Sequence, residues 1–534
     1  MIRIEPAGAE ALLLTLAEEP EVDLSVRLAE LARRLREGLG EGVRDLVPGW
    51  TTLMLHYDPY RIAPQVLEER LGPLLAEWHA WRPAEDAGRL HEIPVWYAGE
   101  DLATVAVACG LTGEGVIELH SAAEYRVGAI GFAPGFAYLG GLDPRLVLPR
   151  RATPRARVPA GSLAIAEAQT AIYPQASPGG WHLLGRSPWR PFDPAAIPPV
   201  PTGAGRPGAL RRHRARGFPR PGRARMNGLR VVKAGPQSLL QDDGRRGWQH
   251  LGVSAGGPLD RQAAAWANRL LGNPWGTPLL EIAFGGLALE CRVEATWLAL
   301  TGARLALTVD GRECLPWSRF RVRRGQRIEL GFAEAGQRAY LACAGGFRAR
   351  PVLGSVACQV RDGLGGLQGD GRILAEGDCL PCAEAGAACP WDASVPWRFQ
   401  PDYRQQRPLR VLLGGDAAAF DAASRRAFFA SAWRISPRSD RMGVRLAGEP
   451  LRGAPRAWSQ GVVEGAIQVP PDGQPIVLMA DRQSMGGYPL LGFVHPLDLS
   501  RLAQSPAHSE VTFVESDLAT QQADLLRFYR FFRG

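Results

Sequence analysis

Three stretches of this chain concentrate residues able to hold and activate an amide, a carboxylate or a phosphate. The densest, Gly131 to Arg186, reads GFAPGFAYLGGLDPRLVLPRRATPRARVPAGSLAIAEAQTAIYPQASPGGWHLLGR. Its glycines allow left-handed backbone and close approach, and its prolines stiffen the loops between them. Arg150, Arg151, Arg155 and Arg157 can grip an anion bidentately, with Tyr138, Tyr173 and Trp181 as walls. The same residues would equally serve tight barrel turns rimmed by solvated arginines, and both readings stand at this point. Phe132, Pro134, Gly135, Ser177, Gly179, Gly180 and His182 complete the binding candidates of this stretch, although His182, like His250, also reads as a structural histidine.

The second stretch, Leu239 to Gln262, sets Gln241, Asp242, Arg245, His250 and Asp260 among glycines, as a polar loop lining a cleft would. The third supplies Arg441, Gln460, Glu464, Gln468, Asp481, Arg482 and Gln483. Glu464 and Gln468, four apart, would share one face of a strand and recognise an amide or carboxylate if buried together. Arg155, Asp242 and Glu464 are the charged groups expected to act catalytically. Gln241, Arg245, Asp260, Gln460, Gln468, Asp481 and Gln483 are expected to bind substrate.

Several chemistries are excluded. Lys233 is the chain's single lysine and follows two valines, so there is no Gly-x-x-x-x-Gly-Lys phosphate loop, no biotinyl acceptor and no Ser-Ser-Lys amidase site. Neither a Gly-x-Ser-x-Gly elbow nor a His-Glu-x-x-His pair occurs. Cys379-x-x-Cys382 with Cys389 resembles half a zinc site without a second half, so no metal is expected.

The elements that must position these groups change along the chain. Residues 1–85 read as α/β: Asp23 precedes a helical run with Leu28, Leu31 and Leu35 on one face, TTLMLHYD is strand-like, and QVLEERLGPLLAEW returns to helical period. Residues 86–193 read as a β-barrel of short runs, EIPVWY, VIELHSA, YRVGAIGF, SLAIAEA, TAIYP and WHLLGR. Residues 194–226 are a Pro/Arg-rich linker, and 227–400 and 401–534 are two further β-rich units. Helices interrupt these units where Asp260 caps RQAAAWANRLLGN and Asp416 caps AAAFDAASRRAFFASAW.

With 534 residues, three or four domains are expected at roughly 150 each. The net charge of +8 sits in one place, since Pro194 to Gln241 holds nine arginines and Lys233 without one acidic residue. Basicity confined to a linker is not a nucleic-acid-binding face. No run approaches the roughly 20 apolar residues of a membrane helix, and Glu5 and Glu10 interrupt any leader, so a cytoplasmic protein is expected. The eight cysteines are too sparse for a disulfide scaffold.

The runs GFAPGFAYLGGL, PRRATPRARVPAGSLAIA and IYPQASPGGWHLLGR resemble the subunit-1 domain of the allophanate hydrolase-like family, which includes the B subunit of 5-oxoprolinase and a sporulation histidine-kinase inhibitor. QDDGRRGWQHLGVSAGGPLD, ANRLLGNP, GQRAYLACAGGF and GVVEGAIQVPPDGQPIVLMADRQSMGGYP resemble the subunit-2 domain, that of the C subunit of 5-oxoprolinase, also called a biotin-dependent carboxyltransferase domain. The resemblance implies a fusion of two usually separate polypeptides: a mainly β chain with an α+β N-terminal domain and cyclophilin-like β-barrels, the C-terminal two in tandem. It implies the B/C component of an ATP-dependent 5-oxoprolinase, incomplete without the A subunit, with ATP as a substrate and no biotin on this chain. Alternatives are a histidine-kinase inhibitor and the carboxyltransferase of a urea carboxylase-like system. Oligomeric state is left open. One departure is visible: relatives close the first barrel with a Gly-Asp-Arg-Val strand after Phe-Asp, whereas Phe192-Asp193 leads into the linker.

Overall fold

The computed structural model describes residues 2–21, 23–76, 78, 81, 90–200, 227–384 and 393–534. Most of the basic linker and Cys389 lie outside these residues. The architecture is mainly β, as the sequence leads one to expect, with a few helices laid against the sheets.

The first sheet has the antiparallel order Arg3–Pro6, Ala11–Thr15, Thr52–Tyr57, Val43–Pro48. Period-2 alternation gives it two buried faces. Leu12, Leu14, Leu53 and Leu55 meet helices Leu24–Leu39 and Pro64–Ala76. Ala11, Leu13 and Met54 turn the other way, onto Val462, Ala466, Met485 and Phe493 of the second half. A strand buried on both faces reads as a continuous apolar run, which is the pattern of TTLMLHYD. Asp23 occupies the helix N-cap but makes no capping bond, pairing instead with Arg126 at 3.4 Å.

A five-stranded sheet follows, in the order His182–Arg186, Ser162–Ala166, Gln169–Ile172, Ala137–Gly140, Arg126–Ile130. VIELHSA, expected as a strand, is part of helix Gly113–Ala122. Thr112 Oγ1 accepts from Gly115 N at 3.0 Å, and Val116 and His120, one turn apart, face inward. EIPVWY contributes one bridge, Trp96 to Arg186. No strand follows Arg186 up to residue 200; instead Val200 packs with Ile130, Ala137, Leu251 and Val253, so this stretch covers the junction between the halves.

The second half begins with a six-stranded and a five-stranded sheet around one aliphatic core that includes Leu229, Leu280, Leu298 and Leu341. It ends with an eight-stranded sheet whose edge strands, Glu510–Val511 and Phe513–Glu515, are separated only by Thr512, so the sheet curls nearly shut. Helix Arg261–Leu270 is capped by Asp260, which accepts from Ala263 N at 2.9 Å. Asp416 caps no α-helix: its carboxylate takes Arg456 and Leu490 N, and Asp421 caps the later helix Ala422–Ala430. Cys343 and Cys382 sit in the aliphatic core as buried free thiols. Among the described residues no three His, Cys, Asp or Glu side chains gather as metal ligands, and no single helix is long and apolar enough to cross a membrane.

The halves interlock. Gly135 N donates to Leu251 O at 2.9 Å, and Gly252, at φ +80°, lies where an added Cβ would stand 2.2 Å from Ala133 O. Gly252→Ala is expected to cost about 1–3 kcal/mol from left-handed backbone alone, with the clash in addition. The readout is a lower thermal midpoint; an unchanged one would mean the halves separate freely at this turn.

Candidate functional site

The first predicted cluster is a packed core. Phe132, Tyr138, Tyr173 and Trp181 surround Phe136 with ring centroids 5.4, 4.9, 5.3 and 5.9 Å away. Burial pushes the Tyr173 hydroxyl up to about 12 and Tyr138 higher still. Pro134 and Ser177 are buried, and Gly179 is packed against the Tyr173 ring. Gly180 O accepts from Arg151 N at 2.8 Å, and His182 Nε2 lies 2.9 Å from Pro149 O. The anion held by Arg151 and Arg155 is internal: Asp101 lies 2.9 and 2.7 Å from them. This carboxylate already occupies the fork expected to take a ligand.

The glycine-rich loop after Gln241 is held from within. Gln241 donates to Cys358 O at 3.0 Å and accepts from Gly257 N at 3.2 Å. Asp242 accepts from Gly244 N, Ser355 Oγ and Val356 N at 3.0, 2.6 and 2.8 Å. Arg245 is fully buried and donates to the carbonyls of Val352, Ser355 and Ala357. Asp260 also receives Tyr403 and Gln504 at 2.8 and 2.9 Å, and burial raises its pKa.

The expectation of one strand face for Glu464 and Gln468 is corrected. The strand is Ala466–Gln468, Glu464 lies in the turn before it, and the register shifts between Ile467 and Gln468. Glu464 pairs with Arg261, whereas Gln468 accepts from Gln483 at 3.3 Å. Gln460 is buried with both amide atoms unbonded, as is Gln468 Nε2. Asp481 is bound bidentately by Arg441, at 2.8 and 3.0 Å.

Two cavities meet beside this loop. The larger, about 540 Å³, is lined by Gln241, Asp242, Asn268, Arg269, Trp275 and Arg533 among others. The smaller, about 70 Å³, lies between the Ala7–Ala11 turn, Arg44, His56, Gln249, Glu464 and Arg482. Both share Arg246, Gly256 and Arg261, which makes them one cleft with a polar waist. Of the predicted residues, Gln241 and Asp242 face the larger part and Glu464 the smaller; those of the first barrel line neither.

Ion pairs weave through the waist. Glu10 takes Arg44 at 2.5 Å, Arg261 at 3.3 Å and the Tyr529 hydroxyl at 2.8 Å. Burial pushes its carboxyl up, but Arg44, Arg261 and Arg246 outweigh that and hold it well below the carboxylate range. Asp58 pairs with Arg44 and Arg533 at 3.2 and 2.7 Å, and Asp243 with Arg246 at 3.1 Å. Beneath them Asp45, with no exposed surface, accepts from Gln249 N, His250 N and His250 Nδ1 at 2.7, 3.2 and 3.0 Å. Sequence reasoning missed Glu10, Arg44 and Asp45, because the N-terminal domain carried no cluster of glycine with polar residues, and it passed over Gln249 within residues 239–262 in favour of its charged neighbours. The AGAE turn, a glycine turn ending on an acidic residue before an apolar strand, was the available signal.

A sequence model described as the carboxyltransferase domain, subdomains C and D, matches residues 2–202, and one for subdomains A and B matches residues 251–515. The chain is 37% identical over 292 residues to the C subunit of 5-oxoprolinase from Escherichia coli (strain K12), covering 54% of this chain and 92% of that protein. It is 42% identical over 199 residues to the B subunit of 5-oxoprolinase from Escherichia coli O157:H7, covering 36% and 88%. The crystal structure of TTHA0988 in space group P212121 superposes with a TM-score of 0.80 at 35% identity, over 96% of this chain and all of that one.

Proposed function

The chain belongs to the carboxyltransferase-domain family that includes the B and C subunits of 5-oxoprolinase, and on that premise we propose that it is a fused B/C component of 5-oxoprolinase. With a separate A subunit it opens 5-oxoproline to L-glutamate, consuming ATP. The supporting observation is that both halves build one cleft: Glu10 and Arg44 come from the first, Arg261 and Glu464 from the second.

A lactam is a poor electrophile, and ATP supplies the leaving group that its oxygen lacks. The larger cavity falls within the roughly 300–1,000 Å³ of small-molecule sites. Of the arginines lining it, Arg269, whose guanidinium hydrogen-bonds only the Phe531 carbonyl among the described residues, is the one left to meet a polyphosphate where no phosphate-loop lysine exists. The smaller cavity would hold the lactam. There Glu464, paired with Arg261, would accept a proton from the attacking water.

Purified chain with a homologue of the A subunit is expected to release phosphate only when 5-oxoproline is present. Glu464→Gln should lower kcat roughly 100-fold or more, the scale for loss of one transition-state contact. Absence of turnover with the partner and ATP supplied would remove the proposal. CO2 transfer from carboxybiotin to urea in the same preparation would instead establish the carboxyltransferase alternative, which the family's description also fits.

A further inference from the structure

The arginines and carboxylates around the waist of the cleft pair off with one exception. Arg44, Arg246, Arg261 and Arg533 are matched by Glu10, Asp58, Asp243 and Glu464. Arg482 is 5% exposed and, among the described residues, has no carboxylate at ion-pairing distance. Its Nη2 donates to Gln249 Oε1 at 2.7 Å and its Nε to Val462 O at 3.3 Å, and no described group accepts from Nη1. Gln249, oriented by that bond and by Asp45 on its backbone N–H, likewise keeps Nε2 without an acceptor. Both side chains line the smaller cavity.

We propose that Arg482 and Gln249 form a donor pair that anchors the carboxylate and the adjacent amide carbonyl of a small monocarboxylate in this cavity. A buried cation without a counter-ion is costly, and a ligand carboxylate is the group that relieves it. The site's other charges are already matched, so a ligand bearing one negative charge fits and a dianion does not. Burial pushes the Arg482 guanidinium down to about 10, as expected of a cation lacking its partner. Neighbouring His56, pushed down to about 3 by burial and then by Arg482, is neutral and cannot compete for the ligand. That the monocarboxylate is 5-oxoproline rests on the function proposed above; the anchor itself does not.

Calorimetric titration of the intact chain with 5-oxoproline, 2-pyrrolidinone and a set of small monocarboxylates tests this. 5-Oxoproline should bind, and Arg482→Met should weaken it by roughly 30-fold or more. 2-Pyrrolidinone, which lacks the carboxylate, should bind both proteins equally weakly. Arg482→Lys should recover part of the affinity. A ligand anchor predicts that the thermal midpoint of unliganded Arg482→Met is no lower than that of the wild type, since the uncompensated charge is gone; a merely structural arginine predicts a fall. Equal 5-oxoproline affinity in wild type and Arg482→Met overturns the anchor and leaves the 5-oxoprolinase reading intact if turnover persists. Binding of other monocarboxylates but not 5-oxoproline, lost in Arg482→Met, supports the anchor and removes 5-oxoproline as the substrate. No binding of any carboxylate to the wild type overturns the anchor outright.

Discussion

Lowering the pH from 7 to about 4 is expected to unfold this protein cooperatively, through three histidines held neutral in its interior. Burial pushes His56 down to about 3 and His120 and His495 down to about 4. The hydrogen bonds agree. Thr170 gives its own proton to Ala164 O, so it accepts from His120 Nε2 and leaves Nδ1 to receive the Tyr97 hydroxyl. His495 Nδ1 accepts from Leu497 N. Each folded pKa lies below the ordinary 6.5, so between 6.5 and about 3 to 4 the unfolded chain binds more protons and stability rises with pH. The contribution is full above 6.5 and is lost as pH falls through that window. Each histidine is worth on the order of 3 kcal/mol, so together they rival the 5–15 kcal/mol of a typical domain. The lowered Glu10 and Asp45 add loss in the same direction below the ordinary carboxylate range. Thermal midpoints should therefore drop steeply below pH 6, and His120→Gln should flatten the slope. A midpoint constant from pH 7 to 4.5 would contradict the buried neutral state.

Asp45→Ala should be the most damaging single substitution at the junction of the halves. Its carboxylate meets Arg36 at 2.9 Å, both backbone N–H groups of Gln249 and His250, and the His250 ring. Removing it strands three backbone N–H groups, those of Leu46, Gln249 and His250, and the His250 ring donor, while half-exposed Arg36 can turn to water, a loss of about 3–5 kcal/mol on the scale of broken buried ion pairs. Because Gln249 orients Arg482, the same change should raise KM for 5-oxoproline more than it lowers kcat. A variant with wild-type stability and KM would show that this carboxylate positions nothing.

The sequence made the mainly β class and the loop after Gln241 legible because both depend on local signals. Alternating apolar runs and glycine-rich polar turns announce themselves over ten or twenty residues. What escaped it was partnership at a distance. Arg155 and Asp242 look like catalytic groups in isolation, yet Asp101 and the Ser355–Val356 segment, 54 and 113 or 114 residues away, occupy their bonding capacity. Arg482 looked like one polar residue among seven, and only its lack of a counter-ion in the folded chain sets it apart. Helix Gly113–Ala122 was misread because its apolar run is too short to reveal its period, while its Thr112 cap was overlooked.

The hydroxyl of Tyr529 on Glu10 joins residues 519 positions apart. The helix carrying it, Leu518–Arg533, also brings Gln522 to Tyr57 and Arg533 to Asp58. At translation rates of roughly 5–20 residues per second, the N-terminal sheet leaves the ribosome some 25–100 s before its last partners do. Through that interval the Glu10 turn and the apolar face of Leu13 and Met54 are without their native cover. The cell must therefore keep a nascent chain from aggregating before the cleft can exist, and codon pacing or chaperone supply should govern its yield more strongly than the stability of the finished fold.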